Sequence, residues 1–308
     1  MAIRLLALDL DGTLLSSSGQ ISSRNRVAIE RAREGGVRVA VVTGRRFRDS
    51  RPIALELGLD VPVIAHNGAL TKHAGTLETV VVMPLPFEAA HNALRIGREA
   101  GADALVSDDH EGLGVLVYDH LSGDNAPVQE YVRWARQVHG DEDGSDTVRE
   151  VVSLEDYLDH EPIHLAFSGG CTKMKQLEDI LHGELGASVK IICTTYPEKD
   201  FTLLDIVHPA ASKGAGVAAV ARELGVMRNE IMAMGDNYND LEMLLFAGTG
   251  IVMANSALPL REIEGLHITA SNDEDGVARA IEKFILSQES GIDGLEPVFD
   301  SRLPTADF

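Results

Sequence analysis

Apolar positions along the chain fall into two textures. From Ile3 to Leu8 they form a nearly continuous run that stops at Asp9-Leu10-Asp11-Gly12, the pattern of a short strand buried on both faces and ended by a turn. A helix is expected around Ser22 to Arg33, closed by Gly35-Gly36. Val37 to Val42 reads as a second apolar strand, Phe47 to Leu57 as a helix and Val61 to Ala65 as a third strand. Such alternation predicts an α/β fold with a Rossmann-like, doubly wound parallel sheet. Right-handed crossovers then bring every strand's carboxyl end to one edge.

The texture changes between Pro84 and Lys199. Helical patterns near Phe87 to Ala100, Val128 to Val138 and Thr172 to Leu181 are interleaved with strand-like runs such as "LGVLVY", "IHLAFS" and "SVKIIC". Residues 85–199 are therefore expected to form an inserted α+β cap domain with its own core. Alternation resumes with "FTLLDIV" at 201–207, a helix from Ser212 to Leu224, the strand "EIMAMG", a helix from Tyr238 to Phe246, the strand "GIVM" and a last helix from Gly276 to Leu286. The expected division is a discontinuous core of 1–84 and 200–286, the cap, and an irregular tail over 287–308, which carries Gly, Pro and Asp without periodicity.

A length of 308 residues suits about two domains. The net charge of -21 argues against nucleic acid or an anionic membrane surface as partner, since both would be repelled. Any phosphate site must then be neutralised locally. Cys171 and Cys193 lie far apart without metal-ligand spacing, which suits free thiols in a reducing compartment. No run of eighteen apolar residues occurs, and acidic residues interrupt the first apolar stretch, so a cytoplasmic location is expected. No long apolar seam marks an oligomer interface.

The strand ends carry the chemistry. Asp9 and Asp11 fall on the same side of an extended chain. Two carboxylates 4 Å apart repel by about 4 kcal/mol at an effective dielectric near 20, unless a cation or a proton intervenes. A calcium loop also begins D-x-D, but Leu14 stands where such a loop needs glycine and Gln20 where it needs glutamate. The second strand ends in Thr43-Gly44-Arg45 and the third in His66-Asn67-Gly68. Lys213 opens a helix, and Gly235, Asp236, Asn239 and Asp240 follow a strand. Singly, each is an ordinary turn, cap or solvated charge. Together they place carboxylates suited to a hard cation beside hydroxyl, amide and ammonium donors suited to an anion, a set fit for phosphoryl transfer. The phosphate loop G-x-x-x-x-G-K-[ST] and the nucleophile elbow G-x-S-x-G are absent, and "GAGVAAV" lacks the third glycine of a dinucleotide fingerprint.

The segments "DLDGTL" at 9–14, "VVTGR" ending at 45, "SKG" at 212–214 and "GDNYND" at 235–240 resemble, in that order, the four motifs of the haloacid dehalogenase superfamily. The insertion after the second motif, with "HNGA", is similar to its Cof-type branch (subfamily IIB) of sugar-phosphate phosphatases. The resemblance covers roughly residues 1–285. It implies Asp9 as the nucleophile that forms an aspartyl-phosphate, and Asp11 as general acid and then base. Mg²⁺ would be held by Asp9, the Asp11 carbonyl and Asp236, and the phosphoryl group by Thr43, Gly44, Lys213 and Asn239, with Asp240 steadying Lys213 or the metal's waters. It further implies a cap that excludes water and contacts the leaving group, with Arg45, His66, Asn67, Asp108, His110 and Lys173 as candidate contacts. The expected substrate is a small phosphorylated metabolite, most plainly a phosphosugar. A phosphomutase of the same branch and a non-catalytic phospho-ligand module are the alternatives. A dehalogenase fits poorly, having no need of the second aspartate or of magnesium.

Overall fold

The computed structural model describes residues 2–139 and 147–287. The acidic stretch at 140–146 and the expected irregular tail from 288 lie outside the described residues. The chain first lays down β1 (Leu5–Asp9), α1 (Ser23–Glu34), β2 (Arg38–Val42), α2 (Phe47–Glu56), β3 (Val63–Ala65), β4 (Leu70–Lys72) and β5 (Thr79–Val82). It continues through α3 (Phe87–Glu99), β6 (Asp103–Asp108), β7 (Val115–Tyr118), α4 (Ala126–His139), β8 (Val148–Glu150), α5 (Leu154–Tyr157), β9 (His164–Gly169), α6 (Cys171–Leu185), β10 (Lys190–Tyr196) and β11 (Phe201–Val207). It ends with α7 (Lys213–Leu224), β12 (Ile231–Gly235), α8 (Leu241–Phe246), β13 (Thr249–Val252), α9 (Leu258–Arg261), β14 (His267–Ile268) and α10 (Gly276–Ile281), the last running into a π-helical turn over Glu282–Leu286.

The core sheet has the order β14-β13-β12-β1-β2-β3-β4-β5, parallel from β14 to β3, with β4 and β5 added antiparallel at one edge. Both faces are covered, as the continuous apolar runs require. Leu6 and Leu8 of β1 pack with Ile29 of α1 and Val277 and Ile281 of α10. Their neighbours Leu5 and Ala7 turn to the other face, against Val217 and Val220 of α7. Two serines start helices that matter here: Ser22 Oγ accepts from Asn25 N at 3.1 Å, and Ser212 Oγ from Ala215 N at 3.0 Å.

A second sheet, of order β10-β11-β9-β6-β7-β8, forms the cap. Helices α3 and α6 cover one face, with Leu94, Leu177 and Leu181 packed on Val106, Phe167 and Leu204. On the other face Val128 and Val132 of α4 meet Leu105 and Leu116. One expectation is corrected at this point: "FTLLDIV" does not reopen the core. It is β11, antiparallel to both β10 and β9, so the cap runs through Val207 and the core resumes at α7. Only the turn Pro197–Lys199 and Asp200 separate β10 from β11, and a connection that short closes an antiparallel pair but cannot make a parallel crossover.

The cap is seated by buried polar contacts. The Lys72 ammonium donates to the carbonyls of His110, Glu111 and Gly112 at 2.8, 2.7 and 2.6 Å. Asp49 in α2 receives the Tyr131 hydroxyl at 2.7 Å and His139 Nε2 at 3.0 Å, both from α4, and forms a bidentate pair with Arg46. These contacts fix the cap above the carboxyl edge of the core sheet.

Candidate active site

Asp9 is the last residue of β1 and only 4% exposed. Its Oδ1 accepts from Lys213 Nζ at 2.6 Å, and the same ammonium lies 2.5 Å from Asp240 Oδ1. Lys213 is the first residue of α7, held in place by the Ser212 cap. The second Asp240 oxygen accepts the backbone amides of Asp236 and Asn237, each at 3.0 Å. Both oxygens of Asp240 are thus engaged in shaping the loop and holding the lysine. Asp236 Oδ1 receives the Thr13 hydroxyl at 2.9 Å. Gly12 must be glycine: its φ is +81°, and a Cβ there would lie 2.3 Å from the Asp236 carboxylate.

Carboxylate oxygens of Asp9, Asp236 and Asp240 lie within 4.8 Å of one another. Burial, with Asp240 and Asp236 nearby, pushes the Asp9 carboxyl well above its usual range despite Lys213. Burial and then Asp240 push Asp236 up to about 6. Lys213 stays firmly protonated, because Asp240 and Asp9 outweigh its burial. One ammonium among three carboxylates leaves a local negative excess. A hard divalent cation between Asp9 and Asp236 is what this donor set fits.

The other expected residues fall around this centre. Thr43 is buried just beyond β2, its Oγ1 accepting the Arg45 amide at 3.1 Å. Gly44 packs against the Asn67 side chain, which a Cβ at 44 would approach to 3.1 Å. Asn239 Nδ2 donates to Asn67 Oδ1 at 3.0 Å. Asp11 stands apart from Asp9: its exposed carboxylate makes a bidentate pair with Arg45, Nε to Oδ2 at 2.7 Å and Nη2 to Oδ1 at 2.5 Å.

The cap residues singled out from the sequence are not gathered at this centre. Asp108 binds the Tyr157 hydroxyl at 2.8 Å and His160 Nε2 at 2.5 Å, His110 serves Lys72 through its carbonyl, and Lys173 is bonded to the Gly101 carbonyl. The Asp108 and Lys173 side chains are thus engaged within the cap, and His110 meets the core through its backbone. The cap instead presents edge strand β10. A cleft of about 240 Å³ opens between it and the core, lined by Lys190, Ile192 and Thr194 on one side and Lys213, Tyr238 and Asn239 on the other. Lys190 pairs with Glu242 across the cleft mouth. His164 and Asp205, which sequence reasoning missed, are buried beside Asn67. Their signal was an imidazole and a carboxylate within the apolar runs "IHLAFS" and "FTLLDIV".

Residues 6–281 match the family of haloacid dehalogenase-like hydrolases. The stress response protein YhaX of Bacillus subtilis is 30% identical, over 94% of this chain and 96% of that protein. The 5-amino-6-(5-phospho-D-ribitylamino)uracil phosphatase YwtE of the same organism is also 30% identical, over 93% and 99%. Among solved structures, a haloacid dehalogenase-like hydrolase from Bacteroides thetaiotaomicron superposes with a TM-score of 0.75 at 27% identity, covering 91% of this chain and 98% of that one.

Proposed function

The chain belongs to the haloacid dehalogenase-like hydrolase family and is a phosphatase, and we propose that it hydrolyses a small organic phosphomonoester, with Mg²⁺, through an aspartyl-phosphate on Asp9. The observation that carries this reading is the buried Asp9 carboxylate, held by Lys213 on one side and faced by Asp236 on the other. Asp9, Asp236 and the Asp11 carbonyl would hold the metal. When bound, it supplies the positive charge that lets an anionic phosphoryl group approach a carboxylate nucleophile.

Asp9 attacks phosphorus in line, and the ester oxygen departs as an alcohol after taking a proton from the Asp11 carboxyl. Asp11, now ionised, takes a proton from the water that opens the mixed anhydride, which restores Asp9 and releases inorganic phosphate. Lys213 Nζ, the Thr43 hydroxyl, the Gly44 amide and Asn239 Nδ2 are the donors for the phosphoryl oxygens. The Asp11 side of the Arg45–Asp11 pair is open to solvent, so an arriving substrate can reach it and exchange partners with it.

The cleft beside β10 supports a leaving group with several hydrogen-bonding positions, since Lys190, Thr194, Asn237 and Tyr238 line it. A phosphosugar or polyol phosphate suits these groups, and the phosphoribityl compound in the name of YwtE is of that kind. Cys171 and Cys193 are free thiols, which supports a cytoplasmic location. Among the described residues no helix is long and apolar enough to cross a membrane.

The test is phosphate release from a panel of phosphosugars, polyol phosphates, nucleotides and pyridoxal phosphate, with Mg²⁺ or with EDTA. Release should require the metal and fall at least about a thousandfold in Asp9→Asn. Full activity in Asp9→Asn would remove the aspartyl-phosphate route.

A further inference from the structure

The buried histidine and aspartate beside Asn67 form a directed relay across the junction of cap and core. The Phe47 amide can only donate, and it points at His66 Nε2 at 3.3 Å. Burial above all keeps His66 neutral, and with Nε2 accepting from Phe47 its proton sits on Nδ1, which faces His164 Nδ1 at 3.5 Å. His164 Nε2 lies 2.9 Å from Asp205 Oδ1 and is the donor of that pair, since the carboxylate oxygen accepts. From the opposite side, Asn239 Nδ2 donates to Asn67 Oδ1 at 3.0 Å and Asn67 Nδ2 donates to Asp205 Oδ2 at 3.3 Å. Every donor in both arms points toward Asp205.

We propose that Asp205, a cap residue supported by His164, is a positioning residue for phosphoryl binding: as the common acceptor of the relay it fixes the amide orientation of Asn67 and, through it, of Asn239. This rests on the phosphatase reading and deepens it. An ionised carboxylate accepts and never donates, so Asn67 must turn Nδ2 toward it and Oδ1 toward Asn239. Asn239 must then turn Nδ2 toward Asn67, which leaves the second Nδ2 hydrogen for a phosphoryl oxygen. The orientation has a cost that something must impose. Asn239 Oδ1 is buried without a hydrogen-bond partner, so the bond from its Nδ2 to Asn67 is the contact that holds this amide. His66 and Asn67 both lie at positive φ, +49° and +54°, so the backbone is bent to present both side chains to the relay.

Asp205→Asn tests this, because it keeps size and shape but can now offer an N–H to Asn67 and reverse the chain of amides. The expected result is a drop of about 10- to 100-fold in kcat/KM and a matching weakening of inhibition by inorganic phosphate, with Tm within a few degrees of wild type. His164→Gln, which still offers Asp205 an N–H, should retain most activity. Wild-type kcat/KM and phosphate inhibition in Asp205→Asn would overturn the inference while leaving the phosphatase reading intact. Absence of metal-dependent phosphate release by the wild type would overturn that reading instead. A crystal structure of the wild type with vanadate decides the relay without any variant: Asn67 should keep both contacts and Asn239 should touch the oxyanion. Loss of the Asn67–Asp205 contact, or an oxyanion out of reach of Asn239, would refute it.

Discussion

Replacing Asp236 with asparagine should make the metal-free protein more stable at pH 8 while abolishing its response to Mg²⁺. Burial and the neighbouring Asp240 raise the folded-state pKa of Asp236 from 3.8 to about 6. A carboxyl that binds its proton more tightly when folded stabilises the fold fully below about 3.8, and this advantage is lost as pH rises through about 6. At about 1.4 kcal/mol per pH unit, keeping Asp236 ionised at pH 8 costs the metal-free fold about 3 kcal/mol. Asparagine removes the charge and keeps an oxygen for the Thr13 hydroxyl. With roughly 2–4 °C per kcal/mol, and some screening by the water that still reaches this side chain, Tm in EDTA should rise by roughly 5 °C. The same substitution at pH 4 should give no gain. Mg²⁺ should restore the wild type at pH 8 by mass action, about 1.4 kcal/mol at ten times its Kd, and do nothing for Asp236→Asn. Scanning calorimetry from pH 4 to 8, with EDTA or Mg²⁺, reads all of this. A lower Tm for Asp236→Asn in EDTA at pH 8, or an undiminished Mg²⁺ shift, would refute the view that Asp236 is strained by charge and relieved by a cation.

Lys213→Met leaves Asp9 and Asp240 buried without their counter-ion, so urea unfolding at pH 8 should show a loss of about 3–5 kcal/mol, and phosphate release should vanish. At limiting Mg²⁺, kcat/KM should rise with pH through about 6, because a proton on Asp236 competes with the cation; more Mg²⁺ should move the midpoint lower, and initial rates at two metal concentrations check it. Gly68→Ala should cost about 3 kcal/mol and much of kcat, because φ is +92° and the new Cβ would lie 2.0 Å from the Ser212 carbonyl that starts the Lys213 helix. Gly19→Ala, at φ +74° in open space, should cost only about 1 kcal/mol by the same thermal assay.

The core was legible because its elements are short-range events. Strand β1 is buried on both faces and therefore apolar throughout, and Ser22 and Ser212 announce their helices by capping them. The motif residues were legible because parallel strands deliver their carboxyl ends to one edge, so Asp9, Thr43, Asn67 and Asp236 needed only the alternation of strand and helix to be brought together. The cap was read less well. Strand β11 is a mostly apolar run that suits either sheet, and only its hairpin with β10 settles which one it joins. Asp108, His110 and Lys173 looked like site residues because they are polar. The Asp108 and Lys173 side chains are engaged by Tyr157, His160 and the carbonyl of Gly101, and the His110 carbonyl by Lys72.

What the sequence determined by itself is thus the parallel core, the order of its strand ends and the kinds of chemistry they carry, since local periodicity and the handedness of crossovers leave little freedom. Tertiary structure alone decided three things. It turned Asp11 out to Arg45, divided the oxygens of Asp240 between Lys213 and its own loop, and drew His164 and Asp205 from distant cap strands to the side of Asn67. The first and third depend on polar groups finding partners across more than thirty residues of intervening chain, and the second on an ammonium 27 residues away; pattern along one strand or helix carries no record of such pairings.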